Sequence, residues 1–308
     1  MVLLDDLKRQ RIMEVLHEYL AAGPGVNGKT PVEEDADLDR KRIAVIENDL
    51  KPLLNSFIGD TISLADFKSR IDSINKRNEH WGFNGIKGQM FFNMVVNVAD
   101  NQDECAQEMK AAIAIPENDL IASSRIKTFA SYVKRLGEQW VDAGNTRYGT
   151  PKPGSIPFFL SYFWQIQNEK VWPVYYTNSV QVMTDLNLWQ PKEDLSGDYL
   201  SFKQIHEELI DTFSKETGQP FDLYKVAHVF WYKGNPPEIV TKIKDMEPTG
   251  KASKTLAAAG APATDIDRLP ESYIPPIISI LPRIARNEES LNKAAELNWS
   301  GKTGQWYK

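Results

Sequence analysis

Aromatic side chains are the residues of this chain best suited to chemistry. Ser155-Ile156-Pro157-Phe158-Phe159-Leu160-Ser161-Tyr162-Phe163-Trp164-Gln165-Ile166-Gln167 is followed closely by Val171-Trp172-Pro173-Val174-Tyr175-Tyr176-Thr177. Aromatic rings bury large areas and also form flat platforms for bases, so this segment is either a core element or the wall of a pocket. Helical spacing puts Phe159, Phe163 and Ile166 on one face, the pattern of packing. Trp164, Trp172, Tyr175 and Tyr176 differ in carrying a polar tip, and they share their window with Gln165 and Gln167. Together they could stack on a base or enclose it.

The stretch just before supplies positive charge. Arg125, Lys127, Lys134 and Arg135 fall on one long helical pattern, and Arg147 and Lys152 lie in the polar loop that follows it. These are the groups that hold phosphate oxygens, with Asn145, Thr146 and Ser155 as added donors. The alternative is an ordinary solvated helix face, since charge runs usually meet water. A smaller basic set, Lys68, Arg70, Lys76, Arg77 and Lys87, flanks the loop Trp81-Gly82-Phe83-Asn84-Gly85. If both sets share one side, they make a groove leading to the aromatics. The whole chain carries a formal charge of −6, so any nucleic-acid contact must come from such a local patch.

Other motifs carry less. Gly23-Pro24-Gly25-Val26-Asn27-Gly28-Lys29-Thr30 matches the spacing of a phosphate-binding loop. A helical pattern precedes it, however, and Pro31 with several acids follows, where the chemistry needs a strand before and a helix opening at Lys-Thr. A surface loop is expected. The four histidines, His17, His80, His206 and His228, lie on separate elements without zinc-site spacing, so each is read as structural. A single cysteine, Cys105, excludes a disulfide framework and fits a reducing compartment. No catalytic constellation, cofactor motif or metal set stands out, so enzymatic activity is left open.

The elements that position these groups read as helices. With 308 residues, 42% of them apolar and 25% charged, the chain can bury a sizeable core. Apolar periodicity predicts helices over residues 4–20, 38–57, 64–77, 90–96, 120–140, 179–188, 199–217 and 223–232, with Ser63 capping the third and a short strand conceivable at Val174-Tyr175-Tyr176. The fold class expected is mainly α: a multi-helix body over residues 1–240 with little or no β-sheet, a flexible linker over 241–270, and a C-terminal helix over 271–308. That last helix cannot bury its own apolar face, so it is expected to dock on the body, pair with a second copy as a homo-oligomer, or lead into a further domain. No apolar stretch is long enough to cross a bilayer, and the first residues lack the pattern of a signal peptide, so the protein is read as cytoplasmic with no membrane partner.

Three blocks add a family likeness: Trp81-Gly82-Phe83-Asn84-Gly85-Ile86-Lys87-Gly88-Gln89-Met90-Phe91-Phe92-Asn93, residues 157–167, and Lys170-Val171-Trp172-Pro173-Val174-Tyr175-Tyr176. They resemble the helical regions that precede motor or nuclease domains in prokaryotic defence proteins of the McrB-like, modification-dependent restriction and restriction-endonuclease-like kinds. The resemblance covers residues 60–235. It implies a specificity or assembly module, with DNA cleavage or translocation residing in a separate domain. The chain departs from the full pattern by ending soon after the C-terminal helix and by lacking a motor loop in the family position. The resemblance therefore implies DNA recognition within an antiviral restriction system, with a partner nuclease or motor subunit. The alternatives are an assembly subunit that recruits such a partner or a second copy, and a nuclease with a dispersed site.

Overall fold

The computed structural model describes residues 4–25, 27–192, 194–235, 298–300 and 305–307. The chain divides into two compact units, Met1–Glu238 and Ile239–Lys308. The described residues of the first unit form a multi-helix body without strands. Its helices are α1 (Asp6–Ala21), α2 (Pro31–Val45), α3 (Lys51–Ile58), α4 (Leu64–Asn78), α5 (Phe91–Val98), α6 (Gln102–Ile113), α7 (Asp119–Asp142), α8 (Ile156–Gln167), α9 (Thr177–Asp185), α10 (Leu195–Thr217) and α11 (Leu223–Gly234).

Most of these helices begin where a short polar side chain can take up a free backbone amide. Asp5, Ser63, Asn118, Asp194 and Asp222 each accept from an amide in the first turn that follows. Thr30 and Glu33 form a reciprocal capping box ahead of α2, with Pro31 at the first position, where its missing N–H costs nothing. The helix expected over residues 38–57 is interrupted by a π-helical turn at Ile46–Leu50. Pro52, two residues into α3, has no N–H to offer Asn48, and the wider turn absorbs that mismatch. Val174-Tyr175-Tyr176 forms no strand; the Tyr176 amide instead donates to the Val174 carbonyl at 2.8 Å, a tight turn.

Two apolar clusters build the body. The first is centred on α8, where every residue except Gln167 is buried. Phe159 meets Phe91 and Phe92 at ring distances of 5.0 and 5.4 Å, and Phe163 meets Phe67 at 5.9 Å. Phe159, Phe163 and Ile166 are thus the packing face that helical spacing assigns them. The second cluster gathers α1, α9, α10 and α11 around residues such as Leu16, Met183, Leu209 and Phe230. Tyr175 packs against both.

In the second unit, Asn298–Ser300 and Gln305–Tyr307 pair as antiparallel strands, with Trp299 opposite Trp306. The helix expected over 271–308 therefore does not run through these residues, whose backbone is extended. The expected linker at 241–270 and the remainder of that helix lie outside the described residues. No described helix is long and apolar enough to cross a membrane.

Candidate binding cavity and basic surface

Of the four aromatic candidates, two are core. Trp164 is 0% exposed and Trp172 1% exposed. The Trp164 indole N–H donates to the Ala112 carbonyl at 3.0 Å, and its ring meets Trp172 and Tyr199 edge-on at 5.5 and 5.4 Å. Neither tryptophan has a face left for a base, which corrects the stacking role expected of them: both rings are consumed inside the first cluster. Tyr175 is half-buried and wedged against Phe202 at 4.8 Å, while its amide donates to Ser161 Oγ. Tyr176 is also half-buried, but it lines a cavity.

The basic candidates separate in the same way. Arg125 donates to the Ala114 carbonyl and so closes the end of α6, with burial holding its pKa below the usual guanidinium value. Its charge serves the fold. Arg135 pairs with Glu104 at 2.6 Å, and Lys134 lies 3.8 Å from Glu138. Lys127 is exposed and acts electrostatically on Asp194. Arg147 and Lys152 are exposed and have no ion-pair partner among the described residues. The long-helix set is therefore largely neutralised, and the loop after it is not.

That loop touches the second basic set. Lys87 Nζ donates to the Gly154 carbonyl at 3.3 Å, two residues from Lys152. Upstream, Lys76 and Arg77 are exposed in the last turn of α4, where cations favour the helix dipole. A shallow hollow of about 590 Å³ runs along α4 between Lys68, Lys76, Arg77 and Asn97. Lys68 is already paired with Asp72 at 2.9 Å.

The larger cavity, about 630 Å³, is assembled from segments far apart in sequence. Asp35 and Arg42 reach it from α2, Phe158 from α8, and Ala227, His228 and Trp231 from α11. Residues 79–87 form another wall, with Glu79 at φ +20° and Gly82 at φ +60°. Glycine suits the second position because the left-handed region carries no penalty without a Cβ. Trp81 and Phe158 on its walls belong to the first apolar cluster.

A charged network holds α2 to α11 beside this cavity. His228 Nδ1 lies 3.3 Å from Asp35 and Nε2 2.8 Å from Asp39. With both ring nitrogens engaged, His228 cannot act as a free base or metal ligand without breaking a bond. Asp35 also accepts from Tyr19 at 2.8 Å; burial raises its pKa and the neighbouring His228 opposes that rise. Arg42 donates twice to the His80 carbonyl, at 2.8 and 2.5 Å, and lies 3.4 Å from Asp39. The network fixes walls and leaves little free charge inside.

The phosphate-loop match at Gly23 to Thr30 is occupied by its own neighbours. Lys29 pairs with Asp37, and the Thr30 hydroxyl and amide are both bonded to Glu33. A helix precedes the loop, as its sequence context requires. Among the described residues no group of three or more histidines, cysteines or acids is arranged to hold a metal ion.

The cavity was not visible in the sequence because its lining is scattered between residues 35 and 231. The only local signals are the Trp81-Gly82 loop and Trp231, an aromatic that stays 57% exposed at the end of an otherwise buried helical run. Comparison with family models, curated proteins and solved structures finds no match to this chain.

Proposed function

We propose that the helical body recognises nucleic acid, DNA in the first instance, as the specificity module of a prokaryotic antiviral restriction system in the cytoplasm. The observation that supports it best is the bond from Lys87 to Gly154, which joins two basic segments that are 67 residues apart. It puts Lys87, and the loop carrying the unpaired Arg147 and Lys152, on one surface of an otherwise acidic chain. Phosphate contacts supply sequence-independent affinity and require few residues if these are local. The restriction context rests on the resemblance over residues 60–235.

Fluorescence anisotropy with a labelled DNA duplex, titrated between about 50 and 200 mM salt, tests this reading. Each phosphate contact adds about 0.9 to the slope of log affinity against log salt, so the R147A/K152A double variant should lower that slope by about 2 and weaken binding across all sequences alike. An unchanged affinity and slope would show that the patch does not meet the polymer.

A second reading, an assembly subunit that recruits a partner nuclease or another copy, is favoured by the burial of Trp164 and Trp172, which makes the aromatic helix a packing element. Light scattering of the full chain against one lacking residues 270–308 separates the two, because only assembly requires the mass to fall.

A further inference from the structure

The larger cavity has the build of a small-molecule site. Its volume of about 630 Å³ lies in the range of ligand pockets, and its walls are mostly apolar, with Leu38, Phe158, Ala227 and Trp231 among them. Trp231 is 57% exposed, so much of a large ring stays uncovered beside this space. Such rings stack on flat apolar bodies.

The charges on the wall are matched unevenly. Asp35 is held by His228 and Tyr19, and Arg42 by Asp39 and the His80 carbonyl. Lys87 lies outside that network: it is half-buried, meets no acid among the described residues, and bonds only the neutral Gly154 carbonyl, at 3.3 Å. An ammonium carries three N–H groups, so two are left for an acceptor. The other unmatched charge on the wall is Glu79, which does not pair with Lys87 and is exposed, where water screens it. His80, also on the wall, reports the local potential: burial first, and then the Arg42 and Lys41 charges, hold its pKa below the ordinary imidazole value. An entering cation would meet the same opposition, and an entering anion the reverse.

We infer that this cavity binds an aromatic carboxylate, its apolar body lying against Phe158, Ala227 and Trp231 and its charge meeting the Lys87 ammonium. Three molecules of one shape and different charge test this: naphthoate, the neutral naphthamide and the cationic naphthylmethylamine. Calorimetric titration of the full chain should give one-to-one binding of naphthoate with Kd below about 1 mM, with the amide about fivefold weaker or more and the amine weaker still. K87M removes the charge but keeps an apolar stem, so it should lower naphthoate affinity to that of the amide and leave the amide unchanged. Ala227 is half-buried on α11, so A227F fills the space and should weaken naphthoate about tenfold or more. W231A removes a largely exposed ring and should weaken it about threefold or more, covering the case in which A227F fails to fold. No binding of naphthoate, equal or tighter binding of the amide or amine, a preference for the carboxylate that survives K87M, or affinity indifferent to both A227F and W231A would each overturn the assignment. The site goes beyond the nucleic-acid reading and shares only Lys87 with it. The R147A/K152A variant should therefore bind naphthoate as wild type does, whatever it does to DNA; a loss there would put the anion on the loop and overturn the cavity assignment.

Discussion

His206 shows what burial does to a titratable residue in this body. It is 1% exposed, with Nδ1 at 2.9 Å from the Phe202 carbonyl and the Phe202 and Phe230 rings at 4.1 and 5.6 Å. Desolvation disfavours the imidazolium, and its pKa falls from 6.5 to about 4, the bond to Phe202 opposing the drop. The unfolded chain therefore binds the proton more readily than the folded one between those values. Stability is complete above about pH 6.5, declines as pH falls through the window, and levels off below about 4, a total of roughly 3 kcal/mol at about 1.4 kcal/mol per pH unit. Asp35 acts in the other direction: its raised pKa lets the folded state take up a proton first, which offsets part of the loss. Urea unfolding at pH 7 and 4.5 should show wild type losing about 2 to 3 kcal/mol more than H206Q. Equal losses would mean that His206 is not desolvated in the fold. The sequence correctly marks His206 as structural, because no second ligand stands at metal spacing. It could not show the depth of burial, which depends on Phe230 from another helix.

At the scale of elements, the joint between α2 and α11 is the instructive one. His228 bridges Asp35 and Asp39, two acids a turn apart on α2, and Arg42 one turn further on lies 3.4 Å from Asp39. Removing His228 takes one partner from each of two carboxylates, leaving Asp35 with Tyr19 and Asp39 with Arg42. Leaving a largely buried polar group without its partner typically costs about 1 to 3 kcal/mol, so H228A should lower stability by that order. Adding D35N should restore part of the loss, because it removes a carboxylate that has lost a partner; denaturant midpoints of the three proteins check both statements. A double variant no more stable than H228A would show that the ring's packing, not its charge, holds the joint. Helices themselves were largely legible: Ser63 and Asn118 announce α4 and α7, and Phe159 with Phe163 announce the buried face of α8. Their local signals, a cap and a 3.6-residue period, are properties of one segment. The start of α10 was missed because its cap, Asp194, precedes the apolar periodicity by several residues. The base-stacking role of Trp164 and Trp172 failed for a related reason. A polar-tipped aromatic reads identically whether its N–H meets a ligand or, as for Trp164, a carbonyl on α6.

For the molecule as a whole, the question is whether two apolar clusters behave as one. Among the described residues, every member of both lies between Leu4 and Phe230. Two helices serve both clusters: α10 gives Tyr199 to the first and Phe202 to the second, and α11 gives Tyr224 to the first and Phe230 to the second. Tyr175 packs against each, and the His228 bridge ties α11 to α2 across the same seam. Opening one cluster therefore tears side chains out of the other, which is the physical condition for cooperativity. A chain ending at residue 238 should fold and should unfold in a single transition, with tryptophan fluorescence and far-ultraviolet circular dichroism superimposed. Fluorescence is weighted towards the first cluster by Trp81, Trp164 and Trp172, whereas the helix signal samples both, so separate unfolding would show as two displaced curves. Such displacement would mean that the seam is a domain boundary, at which the two sides could part without either unfolding.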